Sequence, residues 1–299
     1  MVDSLTEITR LTNMEFSLPL LLRRHSVVQA LLASKLIRSE QIIRFNGNAR
    51  AVVDLHDPEP RNVFLKGVFD PDFYSVAQAM LPRNGTFFDL GANVGLCSFG
   101  LAPSRTSASY HLFEANDSLI SLLAQSARLH SETDFQIIHA CVTDQPGETR
   151  FYLEENQSGQ SHVATAKETG EAVPNLLLDE YVEKNAIERI DFAKMDLEGH
   201  ELNALKGWSR TLEAGLVEAL YLEVMPENQE RYELPTNAAL TYLKECGYNL
   251  YLCKKQNFGQ FGEDPKPFTG PGGSISVAQF LAEEYPNDFS SDILAIAPA

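Results

Sequence analysis

Residues 193–201 read Ala-Lys-Met-Asp-Leu-Glu-Gly-His-Glu, with polar and apolar side chains alternating. A period of two puts Lys194, Asp196 and Glu198 on one side of a strand and Ala193, Met195 and Leu197 on the other. Charges on a strand buried on both faces must pair with one another or serve a reaction. Lys194 and Asp196 can neutralise each other, and Glu198 and Glu201 can favour the positive end of a following helix. Proton transfer is the chemistry these types offer: Asp196, at the strand tip, is the favoured general base, with His200 next by its intrinsic pKa and Glu198 beside them. Glu223 is a further acid at a strand end on the same rim. Asp196, Glu198 and Glu223 would offer hard oxygen ligands to a divalent cation, but carboxylates are abundant in so acidic a chain and no metal is expected.

A second constellation precedes it. Residues 89–95 read D-L-G-A-N-V-G after a short apolar run. Gly91 and Gly95, placed just past a strand, let backbone approach a ligand where doubly wound sheets bind nucleotides. A dinucleotide fingerprint needs G-x-G-x-x-G, whereas Gly91, Asn93 and Leu96 fill those slots. Asp89 also opposes a pyrophosphate: a carboxylate about 4 Å from a phosphate oxygen costs about 4 kcal/mol at an effective dielectric near 20. Beside a cationic ligand the same carboxylate is favourable. Glu114, in H-L-F-E, ends the next apolar run 23 residues after Gly91, where a carboxylate takes ribose hydroxyls. Cys141 and Val142, ending a third run, are placed to receive an adenine ring. S-adenosyl-L-methionine fits this set, having an adenosine, no phosphate, a sulfonium and an ammonium.

The elements that must position these groups follow from residue 86 onward. Apolar runs at 86–90, 109–113, 135–142, 190–197 and 220–224 alternate with helical stretches from 94, over 119–129 and over 201–212. Such alternation means βαβ units and a mostly parallel sheet with helices on both faces. Runs at 249–253 and 292–297 close the sheet edge. Residues 256–273, rich in Gly, Pro and Phe, read as a long loop in which Phe258, Phe261 and Phe268 either stack on an acceptor or pack inward. Upstream, residues 5–36 form a helical preface, and 41–45 and 49–55 form a hairpin about Asn46-Gly47-Asn48. The expected fold is α/β, doubly wound and Rossmann-like, with residues 1–48 as an N-terminal extension and 49–299 as the main domain.

The stretches F-F-D-L-G-A-N-V-G, F-E-A-N, A-C-V-T-D-Q-P-G (140–147), L-D-E-Y (178–181) and above all K-M-D-L-E-G-H-E-L-N-A-L-K-G (194–207) resemble the FkbM family of S-adenosylmethionine-dependent methyltransferases. The resemblance runs over residues 49–297 and leaves the first 48 outside. It implies the class I methyltransferase fold and O-methylation of a hydroxyl on a sugar, glycan or polyketide-type molecule. It also implies that Asp89, Gly91, Asn93, Gly95 and Glu114 hold the cofactor and that Asp196, Glu198 and Glu201 line the reaction centre. Two other readings stand beside it. One is a non-catalytic S-adenosylmethionine-binding module acting through a protein partner. The other, disfavoured by Asp89 and Leu96, is a nicotinamide-dependent oxidoreductase.

Composition narrows the partners. The 299 residues carry 24 Lys+Arg against 41 Asp+Glu, a formal charge of −17, which repels nucleic acid and anionic lipid. A neutral or cationic ligand is expected, namely a small-molecule or saccharide acceptor. Self-association into a homo-oligomer is compatible with the sequence. The apolar run 16–22 is too short for a membrane span, and four scattered cysteines without a C-x-x-C favour reduced thiols in the cytoplasm.

Overall fold

The computed structural model describes residues 25–298. The expected helical preface therefore lies partly outside the described residues; within them, a helix spans His25–Ala33. Strands β1 (Glu40–Phe45) and β2 (Ala49–Asp54) form the expected antiparallel hairpin, turning through Asn46 and Gly47, both with positive φ. β2 is bound to the main body, since Val52 N–H donates to Ser126 Oγ at 2.8 Å.

The central sheet contains β3 (Thr86–Leu90), β4 (Ser109–Glu114), β5 (Asp134–His139), β10 (Phe192–Met195), β11 (Ala219–Val224), β12 (Asn249–Leu252), β13 (Lys266–Gly270), β14 (Gly273–Phe280) and β15 (Ser291–Ile296). Their order is β13-β14-β12-β15-β11-β10-β3-β4-β5. The five strands from β11 to β5 run parallel, and β15 is antiparallel to both its neighbours. This is the doubly wound, Rossmann-like arrangement expected. Chain order reverses between β3 and β10, the topological switch point at which such sheets open a crevice beyond their carboxyl ends.

Both faces are buried because successive residues alternate sides. Phe87 and Phe192 pack into one apolar cluster with Phe73, Phe99 and Tyr110. Phe88, Ala193 and Met195 pack into the other with Trp208, whose ring stacks on Phe88 at 5.8 Å. Lys194 shares the Phe192 face and lies beside Asp89 in the parallel register.

Three expectations change. The run 135–142 does not continue as one strand: β5 stops at His139, and β6 (Cys141–Val142) joins a separate four-stranded sheet with β7 (Glu148–Tyr152), β8 (His162–Val163) and β9 (Glu171–Leu176). These strands are short and half polar, so they lack the apolar runs by which strands are found. The helix expected over 201–212 divides into Glu201–Lys206 and Ser209–Glu213. Within the expected loop 256–273, β13 pairs antiparallel with β14; its proline is tolerated because β13 is the sheet's edge. The loop's rings pack inward, Phe261 lying 5.2 Å from Phe280 and 5.3 Å from Phe289. No helix among the described residues is long and apolar enough to cross a membrane, and all four cysteines are free.

Candidate functional site

A cavity of about 430 Å³ opens at the switch point. Of the ten residues singled out from the sequence, Gly91, Asn93, Glu114, Cys141, Val142, Asp196, Glu198 and His200 line it. Asp89 and Gly95 do not.

Asp89 lies behind the wall, fully buried. Its Oδ2 accepts from Ser98 Oγ at 2.5 Å, and its Oδ1 has no hydrogen-bond partner. Burial pushes its carboxyl up even though Lys194 opposes the shift. Gly95 is the N-cap of the helix Leu96–Leu101, in the left-handed region, where a Cβ would meet Phe99 at 2.3 Å.

Glu114 ends β4 and is held from both sides: Oε2 accepts from Asn93 N–H and Oε1 from Asn116 N–H, each at 2.7 Å. Those bonds favour its charged form, yet complete burial wins and raises its pKa. Each carboxylate oxygen keeps a second acceptor position, and the side chain faces the cavity. Phe113, Ala115, Cys141 and Val142 supply an apolar wall beside it.

At the other end, Lys194 Nζ donates to Asp196 Oδ2 at 2.8 Å. Burial alone would depress the lysine, but Asp196, Cys97 and Asp89 outweigh it and hold the ammonium well above its ordinary range. Past Asp196 the chain turns through Glu198 (φ 53°) and Gly199 (φ 102°). A non-glycine residue there costs of order 1–3 kcal/mol and persists where the surroundings enforce it. Glu201 does the enforcing. It is buried, outside the cavity wall, and its Oε1 accepts from Leu197 N–H at 3.0 Å and Gly199 N–H at 3.1 Å. Gln229 Nε2 holds its other oxygen at 2.8 Å. Glu201 therefore holds the turn and does not itself line the cavity, where the family resemblance implies a place at the reaction centre.

Glu198 Oε2 accepts from Asn228 Nδ2 at 2.8 Å; burial, and then the Asp196 charge, push it up to about 7. Glu223 is raised to about 9, chiefly by the Asp196 charge and then by burial. His200, its Nε2 3.0 Å from Thr143 Oγ1, is drawn down by burial to about 4. Carboxylate oxygens of Asp196, Glu198 and Glu223 lie within 4.8 Å of one another.

Glu223 makes this crowding measurable. The unfolded chain releases its proton in the ordinary carboxylate range, whereas the folded one retains it toward about 9, so stability falls as pH rises through that window. Glu223→Gln removes the penalty. The variant is expected to melt above the wild type near pH 8, the gap closing toward about pH 4. A gap indifferent to pH, or of opposite sign, counts against the crowding.

One wall went unseen in the sequence. The helix Pro58–Lys66 contributes Pro58, Glu59 and Asn62, preceded by its N-cap Asp57. A strap over 157–161 crosses the cavity from the small sheet and is latched by Ser158, whose N–H donates to Asp57 Oδ2 at 2.9 Å. Asp57-Pro58 is a helix-start signal, which finds the helix but not what it faces. His162, which the polar character of the loop 157–162 offers as a substrate contact, does not reach the cavity; its ring lies 2.8 Å from the Gln160 carbonyl and 3.3 Å from Glu168.

The donor set suits an adenosine bearing a cationic tail: an apolar wall for the base, a fixed carboxylate for the ribose, and an acidic far end whose one ammonium is already bonded to Asp196. A pyrophosphate finds no free cation among the described lining residues.

Comparison with known proteins agrees in kind. The model of the methyltransferase FkbM domain matches residues 89–250, more than half of the chain. No curated protein matches. Among solved structures, similarity is found to a precorrin-6y C5,15-methyltransferase from Geobacter metallireducens GS-15, at 10% identity over 76% of this chain and 87% of that one, TM-score 0.40. It is also found to M. jannaschii TYW2 in complex with AdoMet, at 11% identity over 88% of each chain, TM-score 0.40. A TehB-like SAM-dependent methyltransferase from Corynebacterium glutamicum is similar at 13% identity over 74% and 93%, TM-score 0.38.

Proposed function

We propose that this chain, which belongs to the FkbM methyltransferase family and is S-adenosylmethionine-dependent, O-methylates a hydroxyl on a small saccharide or polyketide-type acceptor. The observation that carries the reading is the pairing of Glu114, fixed by two backbone N–H groups, with the Lys194–Asp196–Glu198 array across one cavity.

In this reading Glu114 takes the ribose hydroxyls, and Cys141, Val142 and Phe113 flank the base. Bound S-adenosylmethionine supplies a methyl group on a sulfonium sulfur. Lys194 grips Asp196 Oδ2 and so leaves Oδ1 to accept the hydrogen bond of the acceptor hydroxyl. The proton goes to the carboxylates, a general-base contribution of about 10²–10⁴-fold. Glu198, held at about 7, can share that proton at neutral pH, and its separation of no more than 4.8 Å from Asp196 is one that a single water can bridge. Burial draws His200 down to about 4, well below the ordinary imidazole range, and its Nε2 is engaged with Thr143.

The test is ligand-linked stability. S-adenosylmethionine at about 100 times its dissociation constant is expected to add about 2.7 kcal/mol, and Glu114→Ala to weaken its binding about 10–100-fold. Stabilisation by NAD with none by S-adenosylmethionine overturns the reading. Tight donor binding with no methyl transfer across a panel of sugar and polyketide hydroxyls leaves the non-catalytic module instead.

A further inference from the structure

Tyr152 of β7 and His162 of β8 face each other in antiparallel register, and residues 153–161 form the hairpin loop between them. Its far half, 157–161, lines the cavity. Residues 154–161 read Glu-Glu-Asn-Gln-Ser-Gly-Gln-Ser. None has an apolar side chain, so hydrophobic burial does not hold this segment down. Among the described residues, the loop is hydrogen-bonded to the body of the protein through Ser158. Its N–H donates to Asp57 Oδ2 at 2.9 Å. Its Oγ reaches the same carboxylate oxygen and also Asn93 Oδ1, the latter at 2.7 Å, the single hydroxyl proton serving one of them at a time. Other bonds stay within the hairpin: Ser161 Oγ accepts from Glu154 N–H at 3.1 Å, and Gln160 N–H donates to the Gln157 carbonyl at 2.9 Å. An element with one polar tether and no apolar anchor sits at the low end of local stability and opens without the rest of the fold.

The tether lands on the groups assigned to the donor. Asn93 N–H donates to Glu114 Oε2 at 2.7 Å, so one residue holds both the carboxylate meant for the ribose and the loop beside it. Asp57 caps the helix Pro58–Lys66, another wall of the same cavity. Between them, a Cβ added to Gly159 would lie 3.4 Å from both Asn93 Nδ2 and Glu59 Oε2, so the loop rests against the β3 turn and the helix together. We propose that residues 153–161 are a lid over the donor, that Ser158 with Asp57 and Asn93 is its latch, and that S-adenosylmethionine enters and S-adenosylhomocysteine leaves only when the latch opens. The proposal rests on the S-adenosylmethionine-dependent reading above and adds the route and rate control of donor exchange. Asp57 and Ser158 are positioning residues that act through the lid. The latch consists of protein groups alone and so retards entry and exit alike. Loosening it raises both rates and leaves their ratio nearly unchanged.

Rapid-mixing association and chase experiments with S-adenosylhomocysteine test the latch. Asp57→Asn keeps a good helix cap but loses the charge that receives Ser158. In this variant kon and koff are expected to rise together by about tenfold, with Kd changing less than about threefold. Ser158→Ala keeps the N–H bond and loses the hydroxyl, so both rates are expected to rise about threefold. Ser158→Thr restores a hydroxyl and is expected to return both toward wild-type values. A rise in koff alone overturns the proposal, because the residue would then be holding the donor itself. Rates unchanged in both Asp57→Asn and Ser158→Ala overturn it as well. Hydrogen exchange on the wild-type protein gives a reading that no misfolded variant can blunt. The Ser158 amide is expected to be at least about a hundredfold less protected than those of β3 and β10. Protection equal to theirs overturns the lid, since the loop would then open only with the whole fold. Absence of binding by both S-adenosylmethionine and S-adenosylhomocysteine rejects the donor reading and the lid with it, whereas intact binding with rates indifferent to the latch rejects the lid alone.

Discussion

Asp196→Asn is expected to lower turnover by about 10²–10⁴ while S-adenosylmethionine affinity changes less than about twofold. The substitution is close to isosteric, and the amide oxygen can still accept from Lys194 Nζ, which lies 2.8 Å from Oδ2 in the native protein. What disappears is the charge that receives the acceptor's proton. The pH profile gives an independent reading of the same variant. Asp196 is among the groups that raise Glu198 to about 7 and is the largest cause of Glu223's rise to about 9. Removing a like charge favours ionisation of both, so the acidic limb of kcat/KM, expected near 7 in the wild type, moves to lower pH in whatever activity remains. Undiminished turnover would take Asp196 out of the reaction. A collapse of donor affinity in step with turnover would recast it as a cofactor ligand.

Gly91→Ala is expected to damage fold and site together. Gly91 sits at φ 79°, and a Cβ there would lie 1.9 Å from the Asp196 carbonyl oxygen. That oxygen is backbone, so no side-chain rotation relieves the clash; the loops after β3 and β10 must separate. Asp196 N–H is bonded to the Leu90 carbonyl at 3.0 Å, so the separation strains the ladder at the point where both halves of the site meet. A loss of about 2–4 kcal/mol in stability is expected, from overpacking and a strained left-handed alanine. Turnover should fall further than stability alone accounts for, because Gly91 and Asp196 move relative to each other. The check is a melting curve beside donor affinity and turnover. An alanine variant with the wild-type melting temperature and rate would mean that the loops are slack and their approach is not what sets the site.

The helix Pro58–Lys66 enters the site through two contacts that local sequence does not announce. Asp57 caps its own helix, accepting from Glu59 N–H at 3.1 Å, and with its second oxygen holds Ser158 across 101 positions of chain. One carboxylate thus fixes Glu59 at the cavity and closes the strap over it. Glu59, raised to about 7 by burial and then by the Asp196 charge, belongs electrostatically to the β10 loop although it lies more than 130 positions upstream in the sequence. A charged residue at a helix start reads locally as a favourable partner for the helix dipole. Only its distant neighbours make it something else.

By itself the sequence determined the alternation of strands and helices, the glycine turn after β3, the carboxylate ending β4 and the charged face of β10. Each is written in a few consecutive residues: an apolar run with its stop, or a period of two broken by Lys194, Asp196 and Glu198. Tertiary structure decided everything that depends on which side of a wall a residue lands. It set Asp89 behind the cavity, because β3 is covered on both faces and its carboxylate packs against Ser98. It turned Glu201 inward to hold backbone N–H groups at the turn. It built the second sheet from strands too short and polar to show a period, and brought Glu59 and the Ser158 strap over the switch point. The physical reason is range: periodicity and turn chemistry act over a few residues, whereas burial and charge repulsion act between groups that only the folded chain brings together.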